Sequence, residues 1–316
     1  MAQIVTLGEL LAEFMAGRVG QPFHEPGTFL GPYPSGAPAI FVDQAAKTGA
    51  TAAMFGCVGQ DGFGDLILNR LRSDAVDVSA IRRTDALPTG TAFITYQNGG
   101  GRSYIFNIGN SAAALIDEGL VDQSILEDCR YFHVMGSSLA NDGVVKAVRR
   151  AVGIVKKSGG KISFDPNIRT ELLASPTLRA ALDYLLGVAD ILLPSEADLS
   201  HWCPQAGEDD AVARLFALGP AEMIVVKKAS AGSTCYQRER SFSAPAFKVD
   251  EVDPTGAGDC FGGTFVSCLA QGIPPEKCLL LANAAGALAV SVRGPMEGNS
   301  TLAQIECFIA RAERRA

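Results

Sequence analysis

The chain has 316 residues, of which 47% are hydrophobic and 19% charged, and its formal net charge is −7. This length suits one large α/β domain, or one domain with a small insert, and the apolar fraction is sufficient for a full core. The sequence pI is about 5.1. An acidic chain lacks the basic face that nucleic-acid binding needs, so we expect no nucleic-acid partner.

The N-terminus and the cysteines bear on the cellular compartment. Glu9 and Glu13 stand where a secretory signal would carry basic and then apolar residues. No apolar run reaches the length of a membrane span, so we expect no membrane association. The eight cysteines include no C-x-x-C pair, which argues against a zinc site and favours reduced thiols. We therefore predict a cytoplasmic protein.

Alternating strands and helices dominate the chain. Apolar runs predict strands at residues 3–7, 51–58, 130–135, 161–165, 189–193 and 222–226. Helical spacing predicts helices at residues 37–48, 61–74, 142–157, 259–271 and 276–292. This alternation predicts an α/β fold with a central, mostly parallel sheet, helices on both faces and right-handed crossovers.

Two segments break the alternation. Residues 91–97 and 102–108 are β-like runs separated by Asn98-Gly99-Gly100-Gly101, which is a hairpin signal. Residues 11–34 contain Gly and Pro throughout. We interpret these segments as a small β-sheet lid that excludes water from a site, with an ordinary surface hairpin as the alternative. The predicted lid is 11–34 and 89–113, and the predicted main domain is 1–10, 35–88 and 114–316.

The run Asp253-Pro254-Thr255-Gly256-Ala257-Gly258-Asp259 leads into an apolar helical segment. A turn of small residues at a helix start exposes backbone N–H groups, and these donors and the helix dipole suit a phosphate. A carboxylate at this point can take a proton from a hydroxyl beside the phosphate. We predict that Gly256, Ala257 and Gly258 form an anion hole for phosphoryl transfer and that Asp259 is the catalytic base.

Two other interpretations of this run remain open. The Gly-Ala-Gly turn can be a plain helix entry that Asp259 caps. A dinucleotide fingerprint is the second, but Phe261 occupies its third glycine position and the run lies far from the first strand. The sequence contains no G-x-x-x-x-G-K-[ST] motif, so a P-loop is excluded.

The run 253–259 resembles the C-terminal signature of the PfkB/ribokinase family of carbohydrate kinases, usually D-T-x-G-A-G-D. Further segments resemble motifs of the same family: Gly8-Glu9-Leu10 with Glu13-Phe14, Ser35-Gly36-Ala37-Pro38-Ala39, and Gly56-Cys57-Val58-Gly59-Gln60-Asp61-Gly62-Phe63-Gly64. The resemblance extends over nearly the whole chain. It implies a ribokinase-like three-layer α/β/α domain and ATP-dependent transfer of the γ-phosphoryl group to a sugar hydroxyl.

The resemblance also implies where nucleotide and metal ions bind. ATP would contact Asn167, Ser195, Lys227, Gly232, Gly256, Gly258, Asn283 and Gly286. Mg²⁺ would bridge the phosphates. Ser195 and Asp198 match the N and E of the family motif N-x-x-E, and the shorter Asp198 would reach the metal through water. Asp253 and Thr255 match positions that help to hold a monovalent cation, usually K⁺, in ribokinase-like members; a turn-capping role for Asp253 is the alternative.

Sugar recognition departs most from the family pattern, because Ser35 and Ile40 replace a common Gly and a common Asn. The candidate substrate contacts are Gly36, Ala37, Asp43, Arg102, Phe106, Arg169 and Asp259, with Glu13, Gln44 and Asn107 as further candidates. A surface salt bridge is the alternative for Arg169, and solvent exposure is the alternative for Asp43 and Gln44.

The segment 31–41 looks most like that of tagatose kinase-type proteins, so we favour a neutral ketohexose, tagatose or fructose. A 2-keto-3-deoxygluconate kinase is the alternative, because Arg102 and Arg169 could face a carboxylate. Ile105-Phe106-Asn107 stands where such kinases tend to have Tyr-Tyr-Arg. A catalytically silent sugar-binding regulator is an alternative of another class, and a dehydrogenase is a third. An unpaired edge of the lid sheet would allow a homodimer.

Overall fold

Two separate β-sheets organise the computed structural model, which describes residues 2–99, 101–168 and 176–313. The larger sheet has the strand order β14 (Ser241–Ala244), β13 (Ser233–Gln237), β12 (Met223–Lys227), β11 (Ile191–Leu192), β10 (Lys161–Asp165), β9 (Tyr131–Met135), β1 (Ile4–Leu7), β4 (Ala52–Gly59) and β5 (Val76–Asp77), and β6 (Ile81–Thr84) also pairs with β4. Neighbouring strands from β12 to β5 are parallel, whereas β12, β13 and β14 pair antiparallel. The predicted mostly parallel sheet is confirmed.

Helices cover both faces of this sheet. They are α1 (Ala37–Lys47), α2 (Gly62–Ser73), α3 (Gln123–Leu126), α4 (Asp142–Lys157), α5 (Pro176–Leu186), α6 (Glu196–Trp202), α7 (Glu208–Leu218), α8 (Ala257–Ala270), α9 (Pro275–Val290) and α10 (Leu302–Glu313). Successive strand residues face opposite layers, so Met54 packs with α1, α8 and α9 while Phe55 packs with α4 and α5. The predicted three-layer α/β/α arrangement is therefore confirmed.

The smaller sheet is built from the two segments that interrupt the alternation. Its strand order is β3 (Phe29–Ser35), β2 (Leu11–Ala16), β7 (Gly90–Tyr96) and β8 (Arg102–Asn107). The predicted hairpin is present, with Thr91 of β7 opposite Asn107 of β8 and Tyr96 opposite Arg102. β2 pairs parallel with β7, which joins the N-terminal segment to the hairpin in one sheet.

The structure also contains elements that the sequence patterns do not predict: α5, α6, α7, α10 and the β13–β14 pair. The strand predicted at 189–193 is reduced to two residues, and the helix predicted at 259–271 begins at Ala257. This earlier start follows from Gly256, whose φ of 78° reverses the chain just before the helix. Within the described part of the chain, no helix is long and apolar enough to cross a bilayer.

Candidate active site

A cavity of about 1500 Å³ opens where the parallel strands end. Five residues that stand at or just after the ends of five neighbouring strands line this cavity: Glu9, Ser137, Asn167, Ser195 and Lys227. The carboxyl ends of parallel strands are where ligands bind in open α/β sheets, because the strand ends and helix starts there leave polar groups exposed. The smaller sheet contributes a second wall, so the cavity is bounded by both sheets.

The predicted anion hole lies at the N-terminus of α8. Gly256 precedes the helix, Ala257 and Gly258 are its first residues, and Asp259 lies in its first turn. All four residues line the cavity. The first N–H groups of a helix have no intrahelical acceptor, so they and the helix dipole are available to a phosphate. The structure thus brings the Asp259 carboxylate and the Gly256–Gly258 turn together on one wall of the cavity.

Asp253 organises the turn that leads into this helix. Its side chain is 1% exposed and accepts four hydrogen bonds: from Thr255 N at 3.1 Å, Thr255 Oγ1 at 2.7 Å, Gly294 N at 3.0 Å and Tyr96 Oη at 3.3 Å. Three of these donors share Oδ1, whereas Oδ2 accepts only from Gly294 N among the bonds within the described residues. The arrangement suits a turn organiser, and it leaves a lone pair of Oδ2 for a cation.

Lys227 and Asp165 form an ion pair in the cavity, near the N-terminus of α8. Asp165 is 1% exposed and ends β10, while Lys227 ends β12. Burial alone would lower the pKa of Lys227, but the nearby carboxylates of Asp165 and Asp198 raise it above its ordinary value. The ammonium is therefore charged, and it lies close to α8, because a Cβ atom added at Gly258 would be 3.6 Å from Lys227 Nζ.

Asp198 is part of the protein's own hydrogen-bond network. Its Oδ2 accepts from Ser195 N at 2.7 Å and from Ser195 Oγ at 2.6 Å, and its Oδ1 accepts from Ile168 N at 2.9 Å. The bond from Ser195 N, together with a bond from Asp198 N to Ser195 Oγ at 3.2 Å, forms the capping box of α6. Both carboxylate oxygens of Asp198 thus accept hydrogen bonds from the protein, and its approach to Mg²⁺ through water stays a prediction. Glu196, an exposed residue of the cavity wall two positions before Asp198, offers a further carboxylate to Mg²⁺.

The predicted adenine side lies between the β12–β13 turn and α9. Gly232, Asn283 and Gly286 all line the cavity there. The Asn283 amide is engaged by the protein, since Oδ1 accepts from Ser233 Oγ at 3.0 Å and Nδ2 donates to the Ala244 carbonyl at 2.9 Å. Asn283 therefore supports the wall of the cavity. It would act on a base indirectly, by holding the residues of that wall in place.

Two buried carboxylates line the end of the cavity beneath the smaller sheet. Glu9 accepts a hydrogen bond from Ser138 Oγ at 2.5 Å, and Glu13 accepts one from Ser35 Oγ at 2.6 Å. Gly36 and Ala37, predicted to approach the sugar, lie on the same wall. Sequence reasoning named Glu13 as a secondary candidate and assigned no role to Glu9. Its position directly after the first strand was the available signal.

Strand β8 presents a row of side chains to the cavity. Arg102, Tyr104 and Phe106 alternate along it and all line the cavity, as strand geometry requires. The rings of Tyr104 and Phe106 stack with centroids 5.3 Å apart, and Phe106 is 45% exposed. Arg102 and Phe106 are thus placed as predicted. Tyr104 was missed, although the same alternation indicates it.

Three predicted sugar contacts do not reach the cavity. Asp43 is fully buried, accepts a hydrogen bond from Asn299 Nδ2 at 2.6 Å and lies 3.7 Å from Arg70 Nε, because its face of α1 is turned toward α2. Gln44 is also fully buried and is bonded to Ser300.

The third predicted sugar contact that does not reach the cavity is Asn107. Its side chain donates to Thr91 Oγ1 at 3.0 Å, on the face of β8 opposite to Arg102, Tyr104 and Phe106. Its position one residue after Phe106 explains this, since neighbouring strand residues face opposite ways. Arg169, a further predicted contact, lies outside the described residues.

The profile of the family described as pfkB family carbohydrate kinase matches residues 1–302. The chain belongs to the pfkB family of carbohydrate kinases. The resemblance inferred from the motifs is thereby confirmed, and with it the ribokinase-like fold. A member of this family is a phosphotransferase that acts on a sugar hydroxyl.

Individual relatives agree with this assignment. Fructokinase-2 of Zea mays is 30% identical over 319 residues, which cover 98% of this chain and 94% of the maize protein. An E. coli protein provisionally named Ribokinase II, solved with ATP and Mg²⁺, has 47% identity and a TM-score of 0.93, with coverage of 98% of this chain and 100% of that chain. Fructokinase of Vibrio cholerae O395, solved with fructose, ADP and a calcium ion, has 25% identity and a TM-score of 0.83, with coverage of 98% and 99%.

Proposed function

We propose that this protein is an ATP-dependent kinase of a neutral ketohexose, with Asp259 as the catalytic base. The observation that carries the proposal is the shared cavity. It joins a helix N-terminus bearing Asp259 to an end lined by the buried carboxylates of Glu9 and Glu13. Phosphoryl transfer needs little covalent chemistry from a protein, so positioning and electrostatics suffice.

In the proposed reaction a sugar hydroxyl lies between Asp259 and the γ-phosphoryl group of ATP. Asp259 accepts the hydroxyl proton as the sugar oxygen attacks phosphorus, and ADP leaves. The N–H groups at the start of α8, in the Gly256–Gly258 turn, donate to the phosphoryl oxygens as their charge is redistributed. Mg²⁺ would neutralise the phosphates on the side of Ser195 and Asp198, mainly through phosphate oxygens and water.

A neutral sugar is favoured over an acidic one by the charges at this end of the cavity. Glu9 and Glu13 are acceptors for sugar hydroxyl groups, whereas a substrate carboxylate would be repelled by them. Among the described residues Arg102 is the cavity-lining arginine, and its guanidinium lies 3.5 Å from Thr255 Oγ1 and over the Tyr104 ring. The fructokinase relatives favour fructose within the ketohexoses, with tagatose next. A 2-keto-3-deoxygluconate kinase remains the alternative.

The smaller sheet would act as a lid on this reaction. It supplies one wall of the cavity and would exclude water once the sugar is bound, which limits hydrolysis of ATP. Its edge strands β3 and β8 have free sides within the described part of the chain. We propose that the sheet also mediates a homodimer, because an unpaired edge tends to find a partner. Size-exclusion chromatography that gives a monomer at all concentrations would contradict the dimer.

A monovalent cation would bind beside the Asp253–Thr255 turn, through Asp253 Oδ2 and backbone carbonyl oxygens of the turn. Such a cation would add positive potential next to the anion hole. We also propose the cytoplasm as the compartment, since the substrate is ATP and all eight cysteines are unpaired thiols.

The direct test is ADP release with ATP and Mg²⁺ across fructose, tagatose, ribose, adenosine and 2-keto-3-deoxygluconate. We expect turnover with fructose or tagatose and none with the acidic sugar. Asp259→Asn is the control for contaminating kinases. Preference for 2-keto-3-deoxygluconate would overturn the assignment of a neutral sugar. Bound ATP without turnover on any sugar would favour the sugar-binding regulator.

A further inference from the structure

Three aspartates surround the ammonium of one lysine near the N-terminus of α8. Asp165, Asp198 and Asp259 all act electrostatically on Lys227, which is the cation among these four residues. ATP would bring further negative charge to the same place. Mg²⁺ can compensate part of this charge, but any protein cation that reaches the transferring phosphoryl group is especially valuable there.

The position of the Lys227 side chain allows its ammonium to contact the transferring phosphoryl group. Its backbone is fixed at the end of β12, where its N–H donates to the Pro194 carbonyl at 2.9 Å. Its side chain crosses above the end of β11 to pair with Asp165 of β10. Among the described residues this is the ammonium's one hydrogen-bonding partner. An ammonium has three donors, so Lys227 retains donors for phosphoryl oxygens while it is held by Asp165.

Asp165 is suited to hold the ammonium in place. It is buried, its Oδ2 pairs with Lys227 and its Oδ1 accepts from Asn167 N at 3.2 Å. The carboxylate is thus oriented from both sides. By contrast, the side chain of Lys227 is 15% exposed and lines the cavity. A pair that only stabilised the fold would not need its cation on the wall of the ligand cavity beside the anion hole.

We propose that Lys227 is a catalytic residue whose ammonium binds the transferring phosphoryl group more strongly in the transition state than in bound ATP, and that Asp165 is its positioning residue. This inference rests on the proposed kinase function. The bond from the sugar oxygen to γ-phosphorus forms as the bond to the β,γ-bridging oxygen breaks. The hydroxyl proton goes to Asp259, the electron pair of the broken bond leaves with ADP, and Lys227 keeps its proton throughout.

The test compares Lys227→Met with Lys228→Met. Lys228 is a matched control because it is the next residue, pairs with the Glu208 carboxylate at 2.6 Å and does not line the cavity. We expect Lys227→Met to lower kcat about 100-fold or more while the Kd for ATP changes little, as for loss of one oxyanion-hole donor. Lys228→Met should leave both constants near the wild-type values.

Asp165→Asn tests the positioning role separately. It keeps the shape of the side chain and removes the charge that holds the ammonium, so we expect kcat to fall while ATP still binds. A mutant series in which Lys227→Met raises the Kd for ATP and leaves kcat unchanged would overturn the proposal in favour of ground-state binding. A lower Tm for both variants with unchanged kcat of the folded enzyme would overturn it in favour of a purely structural pair.

The outcome for the wild type separates this inference from the proposed function. If the wild type phosphorylates no sugar, the proposed function fails before any variant is compared. If the wild type, Lys228→Met and Lys227→Met all phosphorylate the sugar at the same rate, the kinase function holds and the role of Lys227 is wrong.

Discussion

Tyr96 Oη donates a hydrogen bond to Asp253 Oδ1 at 3.3 Å, which ties the smaller sheet to the turn before α8. Burial, with the nearby Asp253 carboxylate, raises the pKa of Tyr96 well above its ordinary value, so its hydroxyl remains a donor. A second contact is near, because a Cβ atom added at Gly294 would meet the Tyr33 ring at 3.0 Å. Two strands of the smaller sheet therefore contact the loops that border the anion hole.

Removal of this contact should loosen the lid. We expect Tyr96→Phe to fold normally and to lose about 0.5–1.5 kcal/mol of the closing interaction, the usual worth of one hydrogen bond. The ratio of ATP hydrolysed to sugar phosphorylated should rise, because water reaches the phosphoryl group more often. Parallel assays of ADP and of sugar phosphate measure this ratio. Tyr131→Phe, on the main sheet, is the control. An unchanged ratio in Tyr96→Phe would contradict the idea that this hydrogen bond holds the lid closed.

Replacement of the proposed base should abolish turnover without loss of the fold. Asp259→Asn preserves the side-chain shape in the first turn of α8 but cannot accept the hydroxyl proton. We expect kcat to fall by about 10²–10⁴-fold, the usual contribution of general base catalysis. Steady-state kinetics and thermal unfolding check the two parts. Asp250→Asn, at an exposed residue that does not itself line the cavity, is the control, and near-normal turnover of Asp259→Asn would refute the assignment.

Gly256 should tolerate no side chain. Its φ of 78° is strained for other residues, and an added Cβ would lie 2.5 Å from the Pro295 carbonyl oxygen. We expect Gly256→Ala to lose at least about 1–2 kcal/mol of stability and to lower activity, since the turn and the Pro295 loop must separate. Gly153→Ala is the matched control, because Gly153 lies within α4 with nothing near its Cβ direction, so stability should rise slightly. Equal effects of both changes would contradict this account.

The buried Asp43 should make stability depend on pH near neutrality. Burial raises its pKa from 3.8 to about 7, against the opposing effects of Arg70 and Asn299, with Asp74 close by. Its folded-state pKa exceeds the unfolded value, so its stabilising contribution is complete below the unfolded pKa and is lost as pH rises through about 7. Lys47 and Glu297 belong to the same cluster, through ion pairs with Asp74 and Arg70.

We expect Asp43→Asn to remove this dependence while it keeps the Asn299 hydrogen bond. Between about pH 5 and about pH 7, the free energy of unfolding of the wild type should fall relative to the variant by up to about 1.4 kcal/mol per pH unit. Urea unfolding of both proteins across this range provides the measurement. If the free energies of unfolding of the wild type and of Asp43→Asn change with pH in the same way, Asp43 does not titrate as its surroundings indicate.

The alternating strands and helices at the centre of the larger sheet, and the candidate catalytic turn, could be predicted from the sequence alone. Strand and helix periods are local properties, so the alternation that defines the larger sheet and the hairpin of the smaller one was predictable. The 253–259 run carries its chemistry in adjacent residues, because small residues before a helix expose N–H groups whatever surrounds them. The family motifs could be recognised for the same reason, because each of them consists of neighbouring residues.

The partners of individual side chains were decided only by the tertiary structure. Asp43 and Glu9 illustrate this: the first was a predicted sugar contact and lies buried beside Arg70, while the second had no assigned role and lines the cavity. The pairing of Lys227 with Asp165 likewise depends on strands that are neighbours of a common strand in space and 62 residues apart in sequence. Long-range contacts of this kind depend on strand order and helix orientation, which no local pattern encodes.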